Sequence, residues 1–391
     1  MRIAEIHWAF PPTIGGVETH LAVLTPALLR RGHTVSLLVG QPEGTPSRQS
    51  WQGVPVVRTP YLDLNQMDDD RFQALRAVTE KTIETFLTQV DPDVIHVHNL
   101  HYFSPVPLDA VLAFATREDV PVVLTAHNTW HDERFRDIAR RAGAYARIIA
   151  VSHFIRADLV RLGYPEDRIV VVHHGVPDEW WEKPPAVAAG PRTGGPVIFH
   201  PARMSLGKGS DVVIRAFARV RRRYPEARLL LAGTERTVDW HQQQSAEIAG
   251  MMEIVRELGL EGAVAWRPFA WQEMMPAYDG ADVVVYPSVM PEPFGIVAIE
   301  AMARARPLIV SDRGGLPEIV EHEISGLVVP GGSEEALADA ILRLLDDPVT
   351  ARRLGQAARE RVRRAFRAED MIDRTEAALV AASRQVTRRV G

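Results

Sequence analysis

The feature that most constrains this chain is the repeated alternation of short apolar runs with longer stretches of helical periodicity. The apolar runs mostly lack polar alternation, which is typical of strands covered on both faces of a parallel sheet. In the first half of the chain they read RIAEIHWA, TVSLLVG, VPVVRT, DVIHVHN, VPVVLTAHN, RIIAVS and IVVVHHGV. In the second half they read VIFHPAR, ARLLLAGT, AVAWRPF, DVVVYPS, RPLIVSD and GLVVP. Strand–helix–strand repetition predicts an α/β fold with two doubly wound parallel sheets.

A segment without periodicity separates the two series of strands. It reads EWWEKPPAVAAGPRTGGP and is rich in Pro, Gly and Ala, which is typical of a linker. The 391 residues suffice for two hydrophobic cores. We therefore predict a first domain over 1–183, a linker over 184–196, a second domain over 197–370 and a helical end over 371–391. Because such sheets usually bind ligands at the carboxyl ends of their strands, the two domains predict a ligand cleft between them.

Composition excludes several classes of protein. The net charge of −5 argues against general nucleic-acid binding, which usually needs a basic domain. The chain has no apolar run of membrane-spanning length, and its N-terminus reads as a strand rather than a signal peptide. Cysteine is absent, so disulfides, thiolate metal sites and cysteine nucleophiles are excluded. We expect a cytoplasmic protein, and the basic clusters lend no support to a peripheral membrane contact.

A carboxylate inside an apolar helix marks the most informative motif. The run FGIVAIEAMARARP begins at Phe294, is apolar on nearly every face, and contains Glu300. An ionised carboxylate is seldom buried unless a partner meets it. Glu292 stands in the preceding loop, and the helix start offers N–H groups without intrahelical partners, those of Gly295, Ile296 and Val297. Carboxylates accept from hydroxyl groups and amides donate to phosphates, so this loop predicts a site for a sugar and a diphosphate.

Two other loops follow strands and precede helices. AFPPTIGGVETHL contains Gly15 and Gly16 but does not match the dinucleotide-binding glycine pattern. HPARMSLGKGSDVVI contains Arg203 and Lys208, whose charges suit a diphosphate, but it lacks the P-loop spacing. Pro26 lies inside the helix after Gly16 and is expected to kink or break it.

Taken together, these loops resemble those of the retaining GT-B glycosyltransferases of family GT4. PSVMPEPFGIVAIEAMARARPLIVSDRGGLPEIVEHEISGLVVP is similar to the E-x7-E segment of that family. GGVETH resembles its N-terminal glycine loop, and PARMSLGKG its donor-phosphate loop. The resemblance spans nearly the whole chain and implies the GT-B fold, in which two Rossmann-like domains face a cleft. It also implies that the first domain binds the acceptor, that the second binds the nucleotide sugar, and that the last helix, from about Met371, packs on the first domain.

The resemblance implies a role for each donor-site residue. Glu300 would hold the ribose hydroxyls, and Glu292 would contact a hydroxyl of the donor sugar. Arg203 and Lys208 would neutralise the diphosphate, supported by the amides of the glycine loop, Gly15 and Gly16. The backbone of Phe294, Gly295, Ile296 and Val297 would cradle sugar and phosphate.

The catalytic set implied by the resemblance adds one histidine. His127, in VLTAHNTW, is similar to the family's active-site histidine and would position the sugar or polarise the transition state. It joins Glu292, Arg203 and Lys208 as a predicted catalytic residue. No protein nucleophile is assigned, because in this family the leaving phosphate is thought to assist attack on its own face of the sugar.

The segment HVHNLHY has two interpretations. His96 and His98 share one face of a strand and could in principle bind a metal ion. No carboxylate is near in sequence, and the resembling family is metal-independent, so we predict no metal site and no cofactor. Contact with the acceptor is the preferred role, for His98, Asn99 or His101.

The leading functional hypothesis is transfer of a hexosyl or related group from a nucleotide-diphosphate sugar to a hydroxyl acceptor with retention of configuration. A UDP-sugar is the preferred donor and a GDP-sugar the next. The acceptor is a small molecule, a glycan or a lipid-linked compound. Two alternatives stay open. The E-x7-E spacing argues against a GT-B-type nucleotide-sugar epimerase, and the complete donor site argues against a non-catalytic nucleotide-sugar-binding protein.

Overall fold

The computed structural model describes residues 1–182, 194–233 and 244–387. These residues form two compact units. One holds residues 1–173 and the helix from Glu369 onward, and the other holds the described residues between 174 and 368. The predicted linker, 184–196, and the last four residues of the predicted helical end lie largely or wholly outside the described residues. Among the helices described, none is long and apolar enough to cross a membrane.

The first unit is built on eight strands, β1 Arg2–Ile6, β2 Thr34–Gly40, β3 Arg48–Trp51, β4 Val54–Thr59, β5 Val94–His98, β6 Val122–Ala126, β7 Arg147–Ala150 and β8 Ile169–Val171. They form one sheet in the order β3-β4-β2-β1-β5-β6-β7-β8. Every neighbouring pair is parallel except β3 with β4. The helices of its first 173 residues are α1 Gly16–Arg30, α2 Asp69–Ala74, α3 Arg76–Val90, α4 Pro105–Glu118, α5 Glu133–Ala139 and α6 His153–Arg161.

The centre of this sheet places polar side chains beside one another. β1 lies between β2 and β5, and its Glu5 is the register partner of His96 on β5. β5 in turn pairs with β6, so that His98 lies opposite Thr125. Side chains two residues apart on a strand share a face, so these strands bring a carboxylate, two imidazoles and a hydroxyl to one face of the sheet.

Two details of the first unit differ from the sequence prediction. The edge strand β3 has the sequence RQSW, pairs antiparallel with β4 and has no apolar run, so periodicity did not reveal it. The sequence predicts a kink or a break at Pro26, and a break does not occur, because α1 continues through this residue to Arg30. Pro26 is buried, and the neighbouring Thr25 hydroxyl donates to the carbonyl of Leu21 at 2.9 Å. Tertiary packing therefore outweighs the loss of one helical hydrogen bond.

The second unit has a six-stranded parallel sheet in the order β11-β10-β9-β12-β13-β14. Its strands are β9 Val197–His200, β10 Arg228–Ala232, β11 Val264–Arg267, β12 Val283–Tyr286, β13 Leu308–Ser311 and β14 Leu327–Val329. Its helices are α7 Glu179–Glu182, α8 Ser210–Arg223, α9 Gln244–Glu257, α10 Trp271–Gly280, α11 Ile296–Ala303, α12 Leu316–Ile319, α13 Glu334–Asp346 and α14 Pro348–Ala365. All six strands predicted for this half are present, and the two parallel sheets confirm the predicted fold class.

Residues 174–182 lie with the second unit, although the predicted first domain runs to residue 183. Val176 forms a bridge with Arg367, and the Arg367 guanidinium pairs with Asp178 at 2.8 Å. The carbonyl of Trp180 accepts from Arg304 at 2.6 Å, and the Trp180 ring is buried. These contacts explain why the chain joins the second core before α7 begins.

The last helix, α15 Ala368–Thr387, belongs to the first unit from Glu369 onward. Among the described side chains of this helix after Glu369, the buried ones are Met371, Ile372, Thr375, Ala378, Leu379 and Ala382. Arg31, just past the end of α1, forms ion pairs with Glu369, with Asp373 at 2.6 Å and with Glu376 at 2.5 Å. His33 adds a contact of 2.8 Å to Glu376. Hydrogen bonds from His33 and Arg31 lower the pKa of Glu376 below its ordinary value. The bond from His33 is the largest cause, and burial acts in the opposite direction.

Candidate functional site

Two loops of the second unit are joined through one carbonyl group. The carbonyl of Gly207 accepts hydrogen bonds from the backbone N–H groups of Val289 and Met290, at 3.0 and 3.1 Å. One of these loops follows β9 and carries Lys208, and the other follows β12 and carries Glu292. The sheet therefore holds the predicted cationic loop against the predicted carboxylate loop.

Glu292 is held by an ammonium group and a phenol. Lys208 Nζ lies 2.5 Å from Glu292 Oε2, and the Tyr286 hydroxyl donates to the same oxygen at 2.6 Å. Burial first, and then the charge of Glu292, raise the pKa of Tyr286 well above its usual value, so the phenol remains a hydrogen-bond donor. Arg203 is exposed, and its charge acts on Tyr286 in the opposite direction. Three of the predicted donor-site residues, Arg203, Lys208 and Glu292, thus surround one tyrosine.

A neutral histidine supports the loop that carries Lys208. His200, at the end of β9, donates from Nδ1 to the carbonyl of Val285 at 3.0 Å and contacts the Ser210 hydroxyl through Nε2 at 3.1 Å. Ser210 is the first residue of α8 and its hydroxyl also accepts from the N–H of Ser205. Burial is the main cause that lowers the pKa of His200 to about 4. The ring is therefore uncharged at neutral pH and fixes the loop by hydrogen bonds alone.

The helix that carries Glu300 begins in a conformation that requires glycine. Gly295 precedes α11 with φ +106°, and a Cβ atom there would lie 2.7 Å from the side chain of Leu316. Phe294 is buried against His174 and Phe366, so only its backbone is available to a ligand. Ile296 and Val297 are half-buried at the first turn, where the N–H groups lack intrahelical partners.

Glu300 lies in the second turn of α11 and is 4% exposed. Its Oε2 accepts a hydrogen bond from the Tyr278 hydroxyl at 2.7 Å. Within the described parts of the chain, Oε1 has no hydrogen-bond partner. Burial is the larger effect and raises the pKa of Glu300 to about 7, although the hydrogen bond from Tyr278 opposes it. The site therefore holds a carboxylate that is costly to ionise and has acceptor capacity left over.

An ion pair inside the second unit anchors α11. Arg304, which follows the helix, is buried and bonds Asp279 through two N–H···O contacts of 2.8 Å each. Its third nitrogen donates to the carbonyl of Trp180 at 2.6 Å. Asp279 lies on α10 and Trp180 on α7, so one guanidinium connects three helices. Sequence reasoning missed this pair, because its partners are distant in sequence.

The predicted glycine loop of the first unit packs on a carboxylate. Gly15 precedes α1 and Gly16 begins it. A Cβ atom at Gly15 would lie 2.3 Å from Glu18 Oε2, so no other residue fits without moving Glu18. Glu18 is buried, and its Oε1 lies 3.3 Å from His7 Nε2. The loop is therefore shaped by a close approach between backbone and carboxylate.

A chain of buried hydrogen bonds runs from β1 to His127. Glu5 Oε2 lies 2.8 Å from His98 Nε2, and His98 Nδ1 lies 2.9 Å from His127 Nε2. A branch leads from Glu5 Oε1 to His96 Nδ1 at 3.2 Å and from His96 Nε2 to the Thr125 hydroxyl at 2.7 Å. Glu5, His96 and His98 are wholly buried, and His127 is 5% exposed. His127 is thus the outermost imidazole of this set.

The predicted acceptor residues are buried near His127 and do not lie on the surface. His98 is wholly buried behind it. Asn99, at φ +51°, accepts the backbone N–H of His127 with its Oδ1 at 2.9 Å. His101 is also wholly buried and donates from Nε2 to the carbonyl of Asn128 at 3.0 Å, and burial lowers its pKa to about 4. In this conformation Asn99 is the most accessible of the three. The two buried histidines could affect an acceptor only through the residues they contact, His127 and Asn128.

Comparison with known sequences and structures matches both halves of the chain. Residues 14–180 match Glycosyltransferase Family 4, and residues 187–361 match Glycosyl transferases group 1. The chain belongs to the family 4 glycosyltransferases. Glycogen synthase of Mycobacterium tuberculosis is 29% identical over 98% of this chain and 95% of its own length.

Solved structures show the same fold as this glycosyltransferase. Sucrose-phosphate synthase from Thermosynechococcus elongatus has a TM-score of 0.82 at 23% identity, covering 99% of this chain and 98% of the other. HepE of Anabaena, solved in complex with UDP and glucose, has a TM-score of 0.77 at 18% identity, covering 97% and 99%. These likenesses confirm the predicted GT-B fold class.

Sequence reasoning about the glycosyltransferase missed Glu5, Tyr278 and Tyr286. Glu5 stands in the apolar strand RIAEI, which is the same anomaly as Glu300 in its apolar helix and could have been found in the same way. The two tyrosines had no such signal, because a tyrosine at a strand end or inside a helix is ordinary core composition.

Strand pairing places a carboxylate beside His96 and His98, which their sequence neighbours do not supply. No carboxylate is near His96 and His98 in sequence, yet Glu5 lies beside both in space. Among the described residues of the first unit, two sets of side chains have ligand atoms close enough for an ion, Glu5 with His96 and His98, and His20 with His98 and His127. The 2.9 Å between His98 Nδ1 and His127 Nε2 is a hydrogen-bond distance. Metal independence stays a prediction for this enzyme.

Proposed function

We propose that this glycosyltransferase moves a hexosyl or related group from a nucleotide-diphosphate sugar to a hydroxyl acceptor, with retention of configuration and without a metal ion. The observation that carries the proposal is Glu300, a buried carboxylate whose Oε1 has no hydrogen-bond partner in the described residues. Two adjacent ribose hydroxyls are donors that such a carboxylate can accept. The second unit would therefore bind the donor.

The diphosphate would lie near Arg203 and Lys208. Lys208 neutralises Glu292 in this structure, so a bound diphosphate would compete with Glu292 for the ammonium group. This exchange would free Glu292 Oε2 to accept from a hydroxyl of the donor sugar, with Tyr286 still donating to it. The half-buried start of α11 offers additional N–H donors to the phosphate.

A UDP-sugar is the preferred donor and a GDP-sugar the next. UDP in the HepE structure supports the first choice by similarity of fold. The acceptor would approach the carboxyl ends of β5 and β6, where Asn99 and His127 lie. A small molecule, a glycan or a lipid-linked compound fits this proposal.

The proposal is tested by nucleotide release from UDP-, GDP- and ADP-sugars, with and without candidate acceptors. We expect acceptor-dependent release with a UDP-sugar, unchanged activity in EDTA, and a product whose anomeric configuration by NMR is that of the donor. Glycosyl transfer by this site would be overturned if nucleotide release never depends on an acceptor and the donor sugar is recovered either epimerised or unchanged.

A double variant tests the diphosphate role. Arg203→Ala with Lys208→Ala should lower kcat/KM for the donor by about 100-fold or more, as expected when charge stabilisation at a leaving group is lost. Arg222→Ala is the matched control, because Arg222 is exposed on α8 and has no ion pair among the described residues. Normal turnover by the double variant would exclude the role of these two cations.

A further inference from the structure

The hydrogen-bonded chain behind His127 has a direction that its chemistry determines. Glu5 is acceptor-only as a carboxylate, and its oxygens face His98 Nε2 at 2.8 Å and His96 Nδ1 at 3.2 Å. Both of these nitrogens must therefore carry a hydrogen to satisfy the contacts. A neutral imidazole has one donor and one acceptor nitrogen, so His98 Nδ1 is the acceptor.

The acceptor role of His98 Nδ1 determines the tautomer of His127. Because His98 Nδ1 accepts, His127 Nε2 must donate across the 2.9 Å contact. The remaining nitrogen, His127 Nδ1, is then the acceptor of the neutral ring. The branch is consistent with this pattern, since His96 Nε2 accepts from the Thr125 hydroxyl at 2.7 Å.

The surroundings hold this arrangement in place. Glu5 and His98 are wholly buried, so water does not compete for their hydrogen bonds. His20 of α1 packs against the rings of both His98 and His127, with centroids 5.7 and 5.0 Å away. The other titratable groups here are His96 and the His7–Glu18 pair, and His7 Nδ1 donates to the carbonyl of His98 at 2.9 Å.

We propose that Glu5 and His98 are positioning residues that fix His127 as the Nε2–H tautomer and thereby keep its Nδ1 a hydrogen-bond acceptor. The proposal rests on the proposed function, in which His127 contacts the transferring sugar or the acceptor hydroxyl. In that setting His127 Nδ1 accepts the hydrogen bond of a substrate hydroxyl. Glu5 then acts on His127 through one intervening residue, His98, and fixes its tautomer as the carboxylate of a Ser-His-Asp triad fixes that of its histidine.

Glu5→Gln tests the inference with almost no change in volume. An amide in place of the carboxylate can present N–H to His98 Nε2, which reverses the donor pattern along the chain. We expect kcat to fall at least about tenfold, because the wrong tautomer reaches the substrate. The UDP dissociation constant should stay within about twofold, because the side chains proposed to hold UDP, Glu300, Arg203 and Lys208, lie in the other unit.

Two further variants separate positioning from packing. Glu5→Asp keeps the carboxylate and should retain more of kcat than Glu5→Gln. Thr125→Val removes the hydrogen bond at the far end of the branch, at an equally buried position, and should leave kcat and KM within about twofold. Equal losses of kcat in all three variants, or a loss in UDP affinity that parallels kcat, would show a structural role only and overturn the inference.

The tautomer itself is measured without turnover. In protein labelled with 15N in the histidine rings, assigned with His98→Gln and His127→Gln, His127 Nε2 should show the shift of a protonated nitrogen in the wild type. It should lose that shift in Glu5→Gln. An unprotonated Nε2 in the wild type would overturn the inference even if the enzyme transfers sugars. Absence of transfer beside the expected spectrum would instead overturn the proposed function.

Discussion

At Glu300, the chain holds an ionisable group where ionisation lowers the stability of the folded protein. Burial raises its folded-state pKa to about 7 from an ordinary value of 4.5. Below the lower value the group is neutral in both folded and unfolded chains, and it contributes no pH dependence. As pH rises from there to about 7, only the unfolded chain ionises, so stability falls with pH. The full cost, on the order of 3 kcal/mol, is present above pH 7.

Glu300→Gln should therefore change stability and binding in opposite directions. At pH 8 and without nucleotide, we expect the variant to melt several degrees above the wild type, because it has no charge to bury. At the same pH its affinity for UDP should fall, because an amide accepts more weakly from ribose hydroxyls. Calorimetric titration with UDP and thermal melting measure the two effects.

The control for this variant is the same comparison of melting temperatures at pH 5. At pH 5 Glu300 is largely neutral in the folded wild type, so wild type and variant should melt within about a degree of each other. A stability difference that is the same at pH 5 and pH 8 would show that packing, rather than ionisation, separates them.

The same residue shows why only part of the site could be predicted from sequence. Glu300 was found because a carboxylate interrupts an apolar helix, a contrast visible within ten residues. Glu5 interrupts the apolar strand RIAEI in the same way, but its meaning depends on His96 and His98, which lie 91 and 93 residues away. Parallel strand pairing brings them together, and no local pattern announces which strands are neighbours.

At the scale of elements, helix α11 owes its position to Arg304 at its end. The buried guanidinium bonds Asp279 twice and the carbonyl of Trp180 once, and so ties α11 to α10 and α7. Removing one partner of a buried ion pair leaves the other charge uncompensated, which is more costly than replacing both by apolar side chains.

Arg304→Met should lower the free energy of unfolding by about 3–5 kcal/mol, because the half-buried Asp279 then loses its cationic partner. Arg304→Met combined with Asp279→Leu should regain most of that loss. Urea unfolding of the single and double variants measures both values. A double variant no more stable than the single one would show that the ion pair is not the main contribution of Arg304.

Most elements could be predicted because their cause is local. The strands with apolar runs were all predicted from the sequence. The edge strand β3 was missed because its four residues owe their conformation to pairing with β4. The continuity of α1 through Pro26 was missed because buried packing around Leu24 and Leu28 is not visible in helix propensity.

At the scale of the whole molecule, the first unit is completed by the last helix of the chain. Arg31 faces three carboxylates on α15, and His33 supplements one of these contacts. Such a network at a partly buried site is worth more than an isolated surface ion pair.

Arg31→Ala should therefore lower the free energy of unfolding by about 1–3 kcal/mol, because three carboxylates lose their common partner. The effect should shrink at high salt. Arg374→Ala is the matched control, since Arg374 is exposed on the same helix and has no ion pair among the described residues. Thermal melting at low and high ionic strength compares the two, and equal shifts would contradict the role of Arg31.

The position of α15 also has a consequence for synthesis on the ribosome. The first 173 residues emerge long before Glu369, so the surface that contains Arg31 and His33, which α15 contacts in the folded unit, stays uncovered while the second unit is made. The first unit therefore begins to be synthesised first, but it is complete only after α15 has been synthesised. A nascent chain stalled before α15 would display that surface to chaperones, and a premature stop in the last few dozen codons would leave it uncovered permanently.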